Sequence, residues 1–280
     1  MPCIAVFNQK GGVGKTTTAL NLAAAINRDG SAPLLIDLDP QAHLTALSGV
    51  GAVDSTSSIY AFYQSHRPLL ELLHHPPQNW QVLAAHLELA KVDTQFGKGP
   101  DILNRLRNAL VRERLSAPDH SIVIDCSPVL GVLSLSAIFA SDRVLIPVSA
   151  DYLAIKGAIQ VERTLDALSR VIRHPVMRRY VLTRFDSRRR MSWDIEKTLR
   201  ERFGEQLCTT RIGETVALAE SPAEGKHIFD YAPTSRGAQD YQALHAELKD
   251  TGFLATGKPA TDAQASAFIA KLKGQMATTR

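Results

Sequence analysis

The chain has 280 residues, of which 45% are hydrophobic and 21% charged, with a formal net charge of +4. That is the composition of an ordinary globular protein with a sizeable core, large enough for one big domain or two small ones. No apolar run reaches the roughly 18 residues needed to span a bilayer, no basic and apolar leader precedes the first apolar run, and Cys3, Cys126 and Cys208 form neither a C-x-x-C pair nor an even framework. These features argue against a membrane-spanning protein, a disulfide scaffold and a cysteine-ligated metal or iron–sulfur carrier, and the expected compartment is the cytoplasm.

Residues 3–7 are a short apolar run that predicts a buried strand, and residues 18–26 predict a helix. Between them lies Lys10-Gly11-Gly12-Val13-Gly14-Lys15-Thr16-Thr17. Glycines at a strand-to-helix turn let successive backbone N–H groups converge on phosphate oxygens, and the helix presents its positive end to the same ligand. In such a loop Lys15 reaches the outer phosphates and the Thr16 hydroxyl holds Mg²⁺. The usual pattern has glycine five residues before Gly14, where this chain has Gln9, so the loop is a deviant form with an additional lysine, Lys10.

A second apolar strand over residues 34–38 carries Asp37 and runs into Asp39-Pro40-Gln41. Residues 55–58 predict a helix start before Ile59, and Pro76-Pro77 ends whatever contains Leu69 to Leu73. Adjacent His74 and His75 would point about 100° apart on a helix, a poor chelating pair, and read as surface histidines. Residues 121–124 form another apolar strand, ending at Asp125-Cys126-Ser127-Pro128. Further strands are expected near residues 81–84, 143–148, 180–183 and 206–209, and helices near 101–115, 130–140, 155–172, 193–203 and 236–249. The alternation predicts a doubly wound, mostly parallel α/β sheet with helices on both faces. Parallel strands gather ligands at their carboxyl ends, so Asp37, Asp39 and Asp125 should converge on the phosphate loop.

From about residue 2 to about residue 248 the chain resembles the ParA family of deviant P-loop ATPases, relatives of Soj and MinD, and among the branches it is most like the Soj-like segregation and cargo-positioning proteins. The resemblance rests on the loop, on residues 37–41 and 125–128, on Val144 to Val148 with Asp151 to Gly157, and on Leu218 to Pro222 with Gly225-Lys226, all in order. It implies a slow, partner-stimulated ATPase with ATP and Mg²⁺ as cofactors, and nucleotide contacts through Lys10, Gly11, Gly12, Val13, Gly14, Lys15, Thr16 and Thr17. Thr16 would ligate Mg²⁺, with Asp37 and Asp125 holding it through waters. Lys15 and Asp39 would act in catalysis, Asp39 by orienting the attacking water. Lys10 would cross the interface of an ATP-dependent homodimer to the partner's nucleotide. The family further implies non-specific DNA binding and a cargo reached through a ParB-like or adaptor protein, hence nucleoid association.

Between Arg170 and Arg211 there are twelve basic residues and five acids, a local field that favours polyanions. Arg188-Arg189-Arg190 lies in the loop before the Trp193 helix, where the resemblance places a DNA-contacting arginine, and Arg184 and Arg211 complete the expected DNA-binding set. The Soj-like pattern also has arginines before Leu218, where this chain has Glu214 and Ala217, with Gly213 in place of proline. Ala42-His43 stands for the usual Gly-Asn, and Ser127 for a common proline. The ATPase domain is expected to cover residues 1–250. Residues 251–280 then form a linker and a short C-terminal helix or tail in which Phe268, Ile269, Leu272 and Met276 could share a face. A MinD-like membrane-associated regulator using that helix, or an ATP-dependent carboxylate-activating synthetase, would be the alternatives.

Overall fold

The structure, a computed structural model, describes residues 2–97, 99–116, 121–172 and 174–255. Its strands are β1 (Cys3–Val6), β2 (Leu34–Leu38), β3 (Leu73–His74), β4 (Gln81–Leu83), β5 (Ile122–Cys126), β6 (Arg143–Ser149), β7 (Met177–Phe185) and β8 (Leu207–Gly213). They form a single sheet in the order β3-β4-β2-β5-β1-β6-β7-β8, parallel throughout except where β3 pairs antiparallel with β4 at the edge. The four strands β1, β2, β5 and β6 are buried along their whole length, as the continuous apolar runs demand when helices cover both faces.

The α-helices are α1 (Lys15–Arg28), α2 (His43–Leu47), α3 (Ile59–Ser65), α4 (Ala90–Gln95), α5 (Pro100–Arg112), α6 (Val132–Ala140), α7 (Ala154–Ser169), α8 (Arg190–Phe203), α9 (Val216–Glu220), α10 (Ile228–Tyr231) and α11 (Arg236–Asp250). Side chains of α3, α5, α6, α7 and α8 share one core with one face of the sheet. On the other face α1, α10 and α11 build a second. The expected doubly wound α/β sheet is therefore present. Ser58 caps α3 through the Tyr60 N–H, as the serine cluster predicts.

Several boundaries differ from expectation for identifiable reasons. Strand β7 starts at Met177 rather than near residue 180 because Arg178 is paired with Asp166 at 2.5 Å and Arg179 lies buried, so both basic residues fit within a strand. Helix α8 starts at Arg190 rather than near 193. The Asp186 carboxylate accepts the Arg188 N–H, and the Asp186 carbonyl accepts the Arg189 N–H, which turns the chain early. Strand β3 and helices α2, α4, α9 and α10 were not expected; at two to six residues they carry no readable period. His74 lies in β3 rather than on a helix, with Nε2 on the Ser57 carbonyl. Among the described residues no group of three or more histidine, cysteine, aspartate or glutamate side chains is placed to hold a metal by itself, and no helix is long and apolar enough to cross a membrane.

Packing continues past the expected domain boundary at residue 250. Phe253 is fully buried in the α1/α11 core, and the Ala255 carbonyl accepts from the buried Arg143 guanidinium at 2.7 Å. The expected C-terminal helix with Phe268, Ile269, Leu272 and Met276 lies outside the described residues.

Candidate nucleotide-binding site

The phosphate loop joins β1 to α1. Gly12 (φ 74°) and Gly14 (φ 83°) occupy the left-handed region that favours glycine. Long-range bonds fix the loop at both ends. Asn8 donates to the Pro147 carbonyl at 2.7 Å and accepts the Lys10 N–H at 2.9 Å, and Thr183 donates to the Val13 carbonyl at 2.9 Å. The loop opens into a cleft of ≈ 560 Å³, a volume that suits a nucleotide. Gly11, Gly12, Gly14, Lys15, Thr16 and Thr17 line it, together with Asp39, Pro128, Arg184, Glu214 and Tyr241. Lys15 is 8% exposed, and its Nζ curls back to donate to the Lys10 carbonyl at 3.1 Å. Burial pulls its pKa down, with the Asp125 charge opposing.

The three acids converge as their strands predict. Asp37 and Asp125 are register neighbours on β2 and β5, and both are buried. Asp37 accepts from the Thr45 N–H and hydroxyl, both at 2.8 Å, and from the Asp39 N–H at 3.0 Å. Burial still outweighs these bonds and pushes its pKa up to about 6. Asp125 is driven well above the usual carboxylate range, first by burial and then by the Asp37 charge. Both Asp125 carboxylate oxygens are buried without a partner of good hydrogen-bond geometry, and the Thr16 hydroxyl is the nearby donor. Two adjacent buried acids, one of them poorly satisfied, beside the Thr16 hydroxyl form an all-oxygen donor set that fits a hard divalent cation such as Mg²⁺. Replacing Asp125 with Asn should therefore raise the Tm of the nucleotide-free protein by about 2–4 °C, the equivalent of ~1 kcal/mol in a domain of this size. The same variant should lose the extra stabilisation that Mg²⁺ gives with nucleotide. Differential scanning fluorimetry with and without Mg²⁺·ATP checks both, and an undiminished Mg²⁺-dependent shift would contradict the assignment.

Lys10 turns away from its own cradle. Its ammonium is held by Asp151, in the loop after β6, at 2.5 Å, with Ser149 at 3.4 Å. Burial raises the Asp151 carboxyl, but hydrogen bonds from Lys10, Ser149 and the Leu153 N–H outweigh it and hold the pKa below the usual range. Asp151 stood in a segment that carried the resemblance, yet had no expected role. Beside this pair are the exposed side chains of Tyr152 and Leu153, and Val129 and Leu130 are exposed just beyond the Pro128 wall of the cleft.

The expected DNA-binding arginines are not equivalent. Arg190 is 94% exposed, with Asp194 at 3.7 Å. Arg188 and Arg189 both face Asp186, whose carboxyl they push down to about 2. Arg184 lines the nucleotide cleft. Arg211 is half-buried and held against the fold, paired with Glu196 at 2.8 Å and stacked over Trp193 and Phe185. Ala42 adopts φ 54°, the left-handed region that favours the glycine expected there from the resemblance.

A doubly wound sheet with a glycine-rich phosphate loop between β1 and α1, and acids at the ends of β2 and β5, defines a P-loop nucleoside-triphosphatase of the deviant-loop class. A family model described as an AAA domain matches residues 1–177. The chromosome partitioning protein ParA of Myxococcus xanthus is 37% identical over 247 residues, covering 88% of this chain and 87% of that protein. The chromosome-partitioning ATPase Soj of Thermus thermophilus is 38% identical over 248 residues, covering 88% and 94%. Among solved structures, cobyrinic acid a,c-diamide synthase from Mycobacterium smegmatis with bound ATP analogue and magnesium is similar, with a TM-score of 0.76 and 26% identity over 92% of this chain and 98% of that one. The chain belongs to the ParA family of partitioning ATPases.

Proposed function

We propose that the protein is an ATP-dependent dimerising switch that binds non-specific double-stranded DNA and positions a cargo through a ParB-like or adaptor protein. The observation that carries this reading is Lys10, a second lysine in the phosphate loop whose ammonium is turned away from its own cradle toward Asp151. In that position it serves its own nucleotide poorly, while an adjoining exposed apolar rim, Tyr152 and Leu153, suits the approach of a second copy. In the paired state each Lys10 would leave Asp151 for the partner's nucleotide, acting as an arginine finger does.

Within one subunit, the backbone N–H groups of residues 10–17 and the Lys15 ammonium hold the phosphates of ATP. Thr16, Asp37 and Asp125 would hold Mg²⁺, the acids through water. Held there, the cation would supply neutralisation of phosphate charge and polarisation of the outer phosphoryl group. Asp39 orients the attacking water. Turnover is slow until a partner protein completes the arrangement. The fold's likeness to an amide-forming synthase favours a second reading, in which turnover depends on a small carboxylate and ignores DNA.

DNA retention by gel shift with ATP, ADP and a non-hydrolysable analogue tests the proposal. ATP-dependent retention is expected, with an affinity that falls steeply with salt. Changing Arg188 and Arg189 together to Glu should weaken retention by about tenfold or more and flatten the salt dependence, because each phosphate contact contributes about one unit to the log–log slope. Retention that ignores salt would rule out this surface, and turnover stimulated only by a small carboxylate would favour the synthase reading.

A further inference from the structure

A continuous run of charged contacts connects the phosphate loop to the arginine loop, and its middle member is the acid that departs from the Soj-like pattern. Arg184 Nη1 donates to the Gly12 carbonyl at 3.3 Å, while its Nε faces Glu214 Oε1 at 3.7 Å. The other oxygen of Glu214 faces Arg189 Nη1, also at 3.7 Å, and Arg189 reaches Asp186 at 3.2 Å. Arg184 and Glu214 both line the nucleotide cleft.

The backbone fixes this placement. Arg184 adopts φ 51°, a left-handed conformation that is strained for a non-glycine residue and recurs at ligand clamps and switches. The Glu214 N–H donates to the Phe185 carbonyl at 3.1 Å, tying the ends of β7 and β8 together. The Gly213 N–H donates to Asp240 at 2.8 Å, a bond that the proline usual at this position could not make. The two side chains therefore meet because both turns are held, yet the contacts between them are long.

We propose that Arg184 is a nucleotide-contacting residue and that Glu214, shared between Arg184 and Arg189, couples occupancy of the cleft to the charge of the arginine loop. In the nucleotide-free protein one carboxylate partly neutralises both guanidiniums. A phosphate chain in the cleft offers Arg184 a charged acceptor, far stronger than the long contact to the Gly12 carbonyl. As Nη1 moves inward, Nε and Glu214 follow, and the contact from Glu214 to Arg189 opens. Arg189 is then left to Asp186 and to an external polyanion. The partner so gained is an extended phosphate polymer, and in this respect the inference rests on the DNA-binding reading above. Pairs this exposed are individually worth no more than about a fivefold change in an equilibrium, so the coupling is a bias, not a lock.

Trp193 reports on the loop directly. Its indole N–H donates to the Ser187 carbonyl at 2.9 Å, and its ring touches Phe185 and Arg211. It is 44% exposed, whereas Trp80, the second tryptophan of the chain, is 2% exposed, so acrylamide quenching reads Trp193 almost alone. With Mg²⁺·ATP the quenching constant of the wild-type protein should change by about 1.5-fold or more. In Glu214→Gln, which keeps the side-chain size, and in Arg189→Met, that response should vanish while ATP still binds by calorimetry. Glu214→Gln should also retain DNA without nucleotide two- to fivefold better than wild type, and Arg184→Met should bind ATP several-fold more weakly. A Trp193 response that persists in Glu214→Gln, or no response in the wild type, overturns the coupling. A response that requires Glu214 in a protein that never retains DNA would leave the coupling standing and defeat the DNA reading.

Discussion

Asp39→Ala is expected to bind Mg²⁺·ATP and to pair with a second copy, while phosphate release falls by about 10²- to 10⁴-fold, the usual contribution of a positioned acid–base group. Asp39 is half-buried at the cleft wall. Its own N–H donates to Asp37 and its Oδ1 accepts the Gln41 N–H, both at 3.0 Å, so the carboxylate is held in one orientation with an oxygen to spare. Alanine removes that oxygen without touching the phosphate loop or the buried pair Asp37 and Asp125. Binding and turnover should therefore separate. Single-turnover phosphate release, read beside a nucleotide-binding titration, makes the comparison, and release at the wild-type rate would refute the role given to Asp39.

The second large effect is expected at Lys10. Lys10→Ala should bind nucleotide within a few-fold of wild type, since the ammonium faces Asp151 and Lys15 still serves the cradle. Hydrolysis at stimulating conditions should nonetheless drop by about 10³-fold or more, the scale of removing an arginine finger. Asp151→Asn provides the opposite sign. The pair it breaks has side chains 29% and 45% exposed, so it is worth at most about 1 kcal/mol. Releasing Lys10 should thus lower the ATP concentration needed for pairing by a factor of about five or less. Loss of nucleotide binding in Lys10→Ala would place the lysine in its own site and contradict its action in trans.

Much of this site was legible in the sequence because its chemistry is local. The glycines, Lys15 and Thr16 of the loop are contiguous, and Asp37, Asp39 and Asp125 sit at the ends of apolar runs that can only be buried strands. The connections between distant segments were not legible. Nothing near Lys10 announces Asp151, nothing near Val13 announces Thr183, and the link from Gly12 through Arg184 to Glu214 exists only once β7 and β8 lie side by side. Charge counting found the arginines but could not separate freely exposed Arg190 from Arg211, which the Glu196 carboxylate and the Trp193 ring hold against the fold. The short elements failed for a simpler reason. Strand β3 has two residues and α10 has four, fewer than a period of either pattern needs.

The central claim is that Mg²⁺·ATP joins two chains through Lys10. Light scattering of the Asp39→Ala protein, in which the loaded state persists, measures it most directly. A molar mass of twice the 30.6 kDa chain with Mg²⁺·ATP, and of one chain with ADP or when Lys10→Ala is added, is the predicted result. A single-chain mass at saturating Mg²⁺·ATP, or a dimer indifferent to Lys10, would contradict the account.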